Sequence, residues 1–154
     1  MKLVRKSACI LLFRNIGQLE IFLVHPGGPF WANKNDGAWS IPKGEYSDNE
    51  EALVAAIREF KEETGLKVSG DFILLEPVLQ KAGKQVHAWA VEGDIDANAI
   101  TSNLFEMEWP PRSGKFKSFP EVDKAAWFAL DKAKQKINPA QIGLIEQLLD
   151  KLSQ

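Results

Sequence analysis

The sequence predicts a mixed-sheet sandwich of the α/β or α+β class, because strand-like and helix-like segments are interspersed and several strands are joined by short turns. Two apolar runs of strand length, residues 7–13 and 19–25, flank a turn signal at residues 15–17. A strongly periodic helix follows at about residues 48–64. No repeat or Pro/Gly/Ser-rich linker divides the 154 residues, so we expect one domain spanning residues 1–154.

The helix has the clearest sequence signals of any element. Ser47 and Glu50 have the spacing of a capping box, which predicts a helix start near Asp48. Gly65 is a suitable C-terminal stop. An apolar stripe recurs at helical spacing and consists of Leu53, Ala56, Ile57, Phe60 and Thr64. We therefore expect this stripe to dock on a core while the opposite, charged side faces a cleft.

Other elements follow from apolar patterning and turn residues. Residues 26–37 are rich in Gly, Pro, Asn and Asp and predict a loop, and Pro42 closes a short strand at 38–41. Strands are predicted at residues 72–79, 85–92, 106–109 and 125–128. Residues 110–119 predict a basic loop, and residues 131–137 and 139–152 predict two helices.

Composition excludes several classes of protein. A net charge of −2 gives no overall attraction to nucleic acid or to an anionic membrane, so a polyanionic substrate needs local cations, a metal or both. The apolar run at residues 8–13 is far too short to cross a bilayer. The single cysteine, Cys9, excludes an internal disulfide framework and is typical of a reducing compartment. We therefore expect a cytoplasmic protein without a membrane partner.

Three glutamates near the end of the helix indicate a metal site. Glu59, Glu62 and Glu63 are spaced three and four residues apart and share one helix face, where like charges repel. A hard divalent cation such as Mg²⁺ or Mn²⁺ prefers oxygen ligands and would remove this repulsion. The alternative is a solvated charged face, but such a face does not require the spacing of the surrounding residues.

Residues 44–66 resemble the signature of the Nudix hydrolase family. The pattern is Gly, five residues, Glu, seven residues, Arg-Glu, an apolar residue, any residue, Glu-Glu, any residue, Gly and an apolar residue. Its positions are filled by Gly44, Glu50, Arg58, Glu59, Phe60, Glu62, Glu63, Gly65 and Leu66. The resemblance implies an α/β/α sandwich with a mixed sheet between helices. It also implies hydrolysis of a phosphoanhydride bond in a nucleoside diphosphate linked to another group.

Two further segments carry a narrower resemblance. Residues 25–45 and 105–128 resemble a bacterial Nudix subgroup of predicted NTP pyrophosphohydrolases, and Pro42-Lys43-Gly44 is similar to relatives that cleave diadenosine polyphosphates. This resemblance implies a dinucleoside polyphosphate or a nucleoside triphosphate as substrate. Base specificity, the bond cleaved and oligomeric state are not defined by the sequence.

The resemblance also implies roles for individual residues. Glu59, Glu62 and Glu63 would bind Mg²⁺, with the backbone carbonyl of Lys43 as a further ligand, and Arg58 would orient a glutamate by an ion pair. Gly44 suits close backbone approach, while Glu50 and Gly65 have structural roles. An added carboxylate is expected from Glu106 or Glu108. The general base stays open among Glu59, Glu106, Glu108, Glu121 and Asp123.

Candidate substrate contacts lie outside the box. Lys43 adjoins it, and the cations Arg112, Lys115 and Lys117 are suited to binding the far phosphates of a polyphosphate chain. Phe30 and Trp31 lie in the loop at 26–37, where they are expected to stack on a base.

Two alternative functions follow from the same residues. A Nudix fold without activity would serve as a nucleotide sensor or interaction module, but such proteins usually lack box carboxylates that are all present here. Hydrolysis of an RNA 5′ triphosphate end predicts a basic channel, against which the slightly acidic composition argues. A small nucleotide is therefore the expected partner, rather than nucleic acid.

Overall fold

The computed structural model describes residues 5–80 and 83–154. Nine strands and three α-helices are formed in these ranges. The strands are β1 Lys6–Asn15, β2 Leu19–Pro26, β3 Lys43–Glu45, β4 Ile73–Leu74, β5 Val78–Leu79, β6 Gln85–Glu92, β7 Leu104–Glu108, β8 Phe116–Pro120 and β9 Val122–Ala129. The helices are α1 Ala52–Thr64, α2 Leu130–Lys136 and α3 Ile142–Leu152, with short 3-10 turns at Ala97–Ala99 and Pro139–Gln141.

Seven strands form one mixed sheet with the order β4-β6-β1-β2-β9, in which β3 also pairs with β1 and β5 with β6. Strands β1 and β6 run parallel, and the other pairs in this sheet are antiparallel. Strands β7 and β8 form a separate antiparallel hairpin. The first strand is thus central, with β2 and β3 along one side and β6 along the other.

Helices cover both faces of the sheet, because successive side chains of a strand point to opposite faces. Ala8, Ile10 and Leu12 of β1 belong to a buried cluster that includes Phe60 of α1. Cys9, Leu11 and Phe13 alternate with them and belong to a second cluster with α2 and α3, which includes Leu144. This arrangement confirms the predicted α/β/α sandwich with a mixed sheet.

Four local predictions were wrong. Helix α1 begins at Ala52 rather than near residue 48, with Glu51 at the N-cap position and no side-chain cap. Residues 38–41 make only isolated bridges at Trp39 and Ser40. Residues 72–79 contain two short strands instead of one, and part of the predicted basic loop forms β8.

No helix in the ranges 5–80 and 83–154 has both the length and the apolar character needed to cross a membrane.

Candidate active site

Arg58 connects three of the box carboxylates on the exposed side of α1. Its Nε and Nη2 donate to both oxygens of Glu50 at 2.8 and 2.9 Å. Its Nη1 donates to Glu59 at 2.8 Å and to Glu62 at 3.1 Å. The same helix packs its apolar side against the sheet through Phe60, which is fully buried. Docking of the helix therefore fixes the direction in which the carboxylates point.

Glu50 has a different structural role from the capping role predicted for it. It lies in the turn before α1, where its backbone N–H donates to the Ser47 carbonyl at 3.1 Å, and its carboxylate binds Arg58 in a bidentate manner. A bidentate pair of this kind restricts the orientation of a guanidinium group. The ion pair lowers the pKa of Glu50. Glu50 therefore acts on the site by orienting Arg58.

Strand β3 brings the backbone before the box against α1. The Lys43 amide donates to Glu63 Oε1 at 3.1 Å. A Cβ atom at Gly44 would overlap with the carboxylate of Glu59, so any larger residue would have to displace that carboxylate. Glu59 itself is only 9% exposed. The glycine predicted to allow close backbone approach is thus in contact with a buried acid of the box.

Burial raises the pKa values of the acids in this region. It is the main cause of the raised pKa of Glu59 and of the pKa of Glu63, which is raised to about 8. Repulsion among the acids adds to the effect, because Glu121 raises the pKa of Glu59 and of Glu63. The pKa of Glu121 is itself raised by burial and by Glu62. This is a region of concentrated negative charge with restricted access to solvent.

A cleft of about 180 Å³ lies beside the box and is lined by Lys43, Glu63 and Glu121 together with Val24, Pro26, Ser40 and Val122. Glu121 is located there by an irregularity in the pairing of β2 with β9. The register shifts between His25 and Pro26, and the Gly27 amide donates to the Glu121 carbonyl at 2.9 Å. Sequence reasoning placed Glu121 only among several candidate bases, since this register shift is not visible in the sequence.

The carboxylates of Glu59, Glu62 and Glu63 are suitable ligands for a hard cation, although each accepts hydrogen bonds from other groups of the protein. Within residues 5–80 and 83–154, no three His, Cys, Asp or Glu side chains are already gathered as a metal-ligand group. Arg58 engages Glu59 and Glu62, while the Lys43 amide engages Glu63. The raised pKa of Glu63 indicates that its charge is incompletely compensated by these contacts. Carboxylate oxygens of this kind suit Mg²⁺ or Mn²⁺.

The other predicted site residues lie in two surface segments. Glu106 and Glu108 are in β7, and Glu108 accepts a hydrogen bond from the Arg112 amide at 2.8 Å. Arg112 adopts a positive φ of 62°, and both it and Lys115 are exposed in the turn that joins β7 to β8.

Phe30 and Trp31 lie in residues 27–37, hereafter the aromatic loop. Their rings meet edge to face, with centroids 5.2 Å apart.

Comparison with known proteins identifies the family. Residues 3–148 match the family model for the NUDIX domain, and this chain belongs to that family. A solved structure of a Caenorhabditis elegans Ap4A hydrolase binary complex superposes with a TM-score of 0.68 at 22% identity, covering 97% of this chain and 98% of that one. The NUDIX domain of Shewanella oneidensis NrtR, in complex with ADP ribose, gives a TM-score of 0.70 at 18% identity, covering 99% and 90%.

A viral relative is more similar in sequence but much longer. A proposed mRNA-decapping protein of Acanthamoeba polyphaga mimivirus is 30% identical over an aligned length of 135 residues, and the match covers 80% of this chain. The match spans 32% of the viral protein, so this chain corresponds to about a third of that relative. The solved structures support the fold, and the family model supports membership of the family.

Proposed function

We propose that this chain is a Mg²⁺-dependent Nudix pyrophosphohydrolase that cleaves a phosphoanhydride bond in a nucleoside diphosphate linked to another group. The observation that carries the proposal is a cleft lined by Glu63 and Glu121, with Glu59 and Glu62 near enough to raise the pKa of other acids in this group. Repulsion among these acids favours a bound divalent cation. Phosphoanhydride hydrolysis requires mainly positioning and charge neutralisation, which such a cleft can provide.

In this proposal Mg²⁺, or Mn²⁺ in its place, is held by Glu59, Glu62 and Glu63 with the backbone carbonyl of Lys43. The ion would supply neutralisation of the charge that develops on the phosphate oxygens. Arg58 keeps Glu59 and Glu62 in place through the hydrogen bonds that it donates to both. The Lys43 ammonium group, at the edge of the same cleft, is suited to binding a phosphate.

Glu121 is the proposed proton acceptor for the attacking water. It lines the cleft with Glu63, whereas Glu108 is engaged by the Arg112 amide in the β7–β8 hairpin. The sequence leaves the general base open among five acids, and the position of Glu121 in the cleft favours it over Glu108. Conversion of Glu121 to Gln should lower kcat with little change in KM, while Glu106→Gln and Glu108→Gln should leave both constants near the wild-type values. Loss of turnover in Glu108→Gln alone would reverse this assignment.

The proposed substrate is a dinucleoside polyphosphate or a nucleoside triphosphate. The structural likeness to an Ap4A hydrolase favours the first. That likeness covers 97% of this chain and 98% of the other, which supports our proposal that residues 1–154 form one catalytic domain. Arg112 and Lys115 are exposed on the hairpin and are proposed to bind far phosphates, while Phe30 and Trp31 are proposed to stack on a base. With Cys9 as the single thiol, the cytoplasm is the proposed compartment.

The viral relative favours a second candidate function, hydrolysis at an RNA 5′ end. The net charge of −2 argues against tight binding of a long strand, since backbone phosphates are bound mainly by Lys and Arg. An inactive sensor is less consistent with the chain, because every box carboxylate is present.

A substrate panel tests the proposal. The purified chain is incubated in the presence of Mg²⁺ with one substrate at a time: Ap4A, a nucleoside triphosphate, ADP-ribose or 5′-triphosphate RNA. Products are identified by anion-exchange chromatography. We expect release of mononucleotides that EDTA abolishes and that Glu59→Gln does not support. Turnover of the RNA alone would select the second candidate, and folded protein without turnover of any nucleotide would select the sensor.

The role proposed for the hairpin cations has its own test. Arg112→Ala combined with Lys115→Ala should raise KM for Ap4A more than for ATP, because the longer chain reaches farther from the box. Lys132→Ala, an exposed cation on α2, is the matched control. An equal rise in KM for both substrates would contradict a far-phosphate role.

A further inference from the structure

His25 is a buried histidine at the base of the aromatic loop, and the proposed chemistry does not use it. It lies near the end of β2 and is 1% exposed. Its Nδ1 is 2.9 Å from Asp123 Oδ1 of β9, and its Nε2 is 2.6 Å from the backbone carbonyl of Lys34. The ring therefore bridges the sheet and the aromatic loop. Lys34 is nine residues from His25 in sequence, and Asp123 is 98 residues from it.

Both partners of His25 are acceptors. A peptide carbonyl has no proton to donate, and an ionised carboxylate accepts only. The Asp123 side chain is 34% exposed, so water can stabilise its charge. Lys124 is opposite His25 in the pairing of β2 with β9, and its ammonium lies 5.5 Å from the ring of Trp39, which meets His25 edge to face. A proton on Nε2 would therefore be donated to the Lys34 carbonyl, and a proton on Nδ1 to Asp123.

The carbonyl that His25 holds belongs to the residue that organises the aromatic loop. The Lys34 ammonium lies 3.7 Å from the ring centroid of Phe30 and 5.0 Å from that of Trp31. The Lys34 amide donates to the Trp31 carbonyl at 3.0 Å. Phe30 is nevertheless 63% exposed, so little packing restrains its ring. Lys34 contacts both aromatic rings of the loop.

We propose that His25 is a positioning residue that fixes the aromatic loop through Lys34 and so sets the affinity for the base of the nucleotide. This inference rests on the proposed function, in which Phe30 and Trp31 stack on that base. The bridge to Asp123 anchors the loop to β9, the strand that follows Glu121 directly. His25 thereby links the base-binding loop to the edge of the catalytic cleft.

The ring state is measured directly by two-bond ¹H–¹⁵N spectra of uniformly ¹⁵N-labelled protein at pH 7. The chain has two histidines, and His87 provides an internal reference, because burial lowers its pKa and favours a ring with one proton. For His25 we expect Nε2 to have the shift of a protonated nitrogen, because it faces the Lys34 carbonyl. The Asp123→Ala variant should change the shift of His25 Nδ1, whose partner it removes. An unprotonated Nε2 in the wild-type protein would overturn the proposed bridge.

Limited trypsin digestion tests the anchoring of the loop without any need for activity. Cleavage after Lys34 requires the loop to leave the His25 ring, and it should accelerate about tenfold in Asp123→Ala and in His25→Gln, as expected for loss of a charge-assisted hydrogen bond. Cleavage after Lys115, in the hairpin turn, is the internal control and should not change. Equal rates at Lys34 in all three proteins would refute the anchoring role. If His25→Gln does not fold, Asp123→Ala decides, since Asp123 is partly exposed.

Kinetics separate this inference from the proposed function. For the preferred nucleotide we expect KM to rise about tenfold in His25→Gln while kcat stays within about twofold, since the acidic box is untouched. His87→Asn controls for loss of a histidine elsewhere. A fall in kcat at constant KM would refute a role in base affinity. If the wild-type protein hydrolyses no nucleotide, the proposed function fails, while the spectra and the digestion still decide whether His25 anchors the loop.

Discussion

At the scale of single residues, Arg58 has the most connections in the site. It binds Glu50, Glu59 and Glu62 at once and has a pKa raised by hydrogen bonds to these acids. One cation thus offsets part of the repulsion among neighbouring carboxylates without filling all their acceptor positions. The carboxylates can therefore remain clustered in the folded protein without a metal ion, and the proposed ion would need some of their oxygens to be released or shared.

The first prediction concerns Glu62. Glu62→Gln should lower turnover by at least about a hundredfold, because the amide removes one of the anionic oxygen ligands proposed for Mg²⁺. Stability should change by less than about 0.5 kcal/mol, since Glu62 is partly exposed and Arg58 retains Glu50 and Glu59. Steady-state kinetics and thermal unfolding measure the two effects. Glu51→Gln, an exposed position just before α1, is the matched control, and wild-type turnover in Glu62→Gln would refute the ligand role.

The second prediction concerns pH and Glu63. The pKa of Glu63 is raised from 4.5 to about 8, chiefly by burial, so between these values the metal-free folded protein retains a proton that the unfolded chain has lost. Stability should consequently decrease as pH rises through this interval and level off above about pH 8. Urea unfolding in EDTA from pH 5 to 9 measures the slope, which Glu63→Gln should reduce. Parallel curves for the two proteins would contradict the assignment.

At the scale of elements, the glycines of the chain have different roles that a single substitution can distinguish. Gly143 lies in α3, and a Cβ atom there would be 3.9 Å from Val78, an ordinary van der Waals distance. Gly17, in the turn between β1 and β2, has a φ of 98°, which L-residues seldom adopt. The same change to alanine should therefore have opposite effects at the two positions.

The third prediction is that Gly143→Ala stabilises the protein by about 0.5 kcal/mol, because alanine has the higher helix propensity. Gly17→Ala should destabilise it by about 1 kcal/mol, since its backbone conformation is unfavourable for an L-residue. Chemical denaturation of both variants measures the difference. Activity should be retained in each, and destabilisation by Gly143→Ala would show that the packing of α3 against β5 is tighter than the structure indicates.

The elements that could be predicted are those whose patterns are local. The alternating run of β6 gave its bounds correctly, and the apolar stripe identified α1. The start of α1 was wrong because Ser47 and Glu50 fit a capping box, although Glu50 instead binds Arg58 on the next turns of the helix. Strand β8 was missed because its basic residues resemble a loop, and its pairing with β7 is a tertiary property.

In the candidate site, too, local relations between residues could be predicted from the sequence, whereas contacts between distant segments could not. The spacing of the box placed Glu59, Glu62 and Glu63 on one helix, because that relation is local. The approach of Glu121 depends on the register shift between β2 and β9, which joins segments almost a hundred residues apart. The bridge from His25 to Asp123 spans 98 residues and likewise has no local signal. Sequence patterns therefore identify the box, and the fold adds the residues around it.

At the scale of the whole molecule, the two core layers meet at the central strand β1. Cys9 of this strand is fully buried and faces the layer that contains α2 and α3. Burial raises its pKa to about 12. A thiol in this position is unreactive unless the sandwich opens, since the thiolate is the reactive form.

The fourth prediction follows from that position. The labelling of Cys9 by a thiol reagent should be at least about a thousandfold slower in native protein than in denaturant, because it requires an opening of the core. The labelling rate should rise with urea in parallel with global unfolding monitored by circular dichroism. Comparable rates in native and denatured protein would mean that this part of the sheet opens locally.

The order of the strands also has a consequence for synthesis of the protein. The hairpin β1–β2 is made first, yet its neighbours on the outer sides are β6, residues 85–92, and β9, residues 122–129. Until these later segments emerge, both edges of the hairpin have unpaired backbone groups and can pair with other chains. A fragment that ends before residue 122 would therefore contain the complete acidic box but lack the partner strand of β2, and we expect it to aggregate.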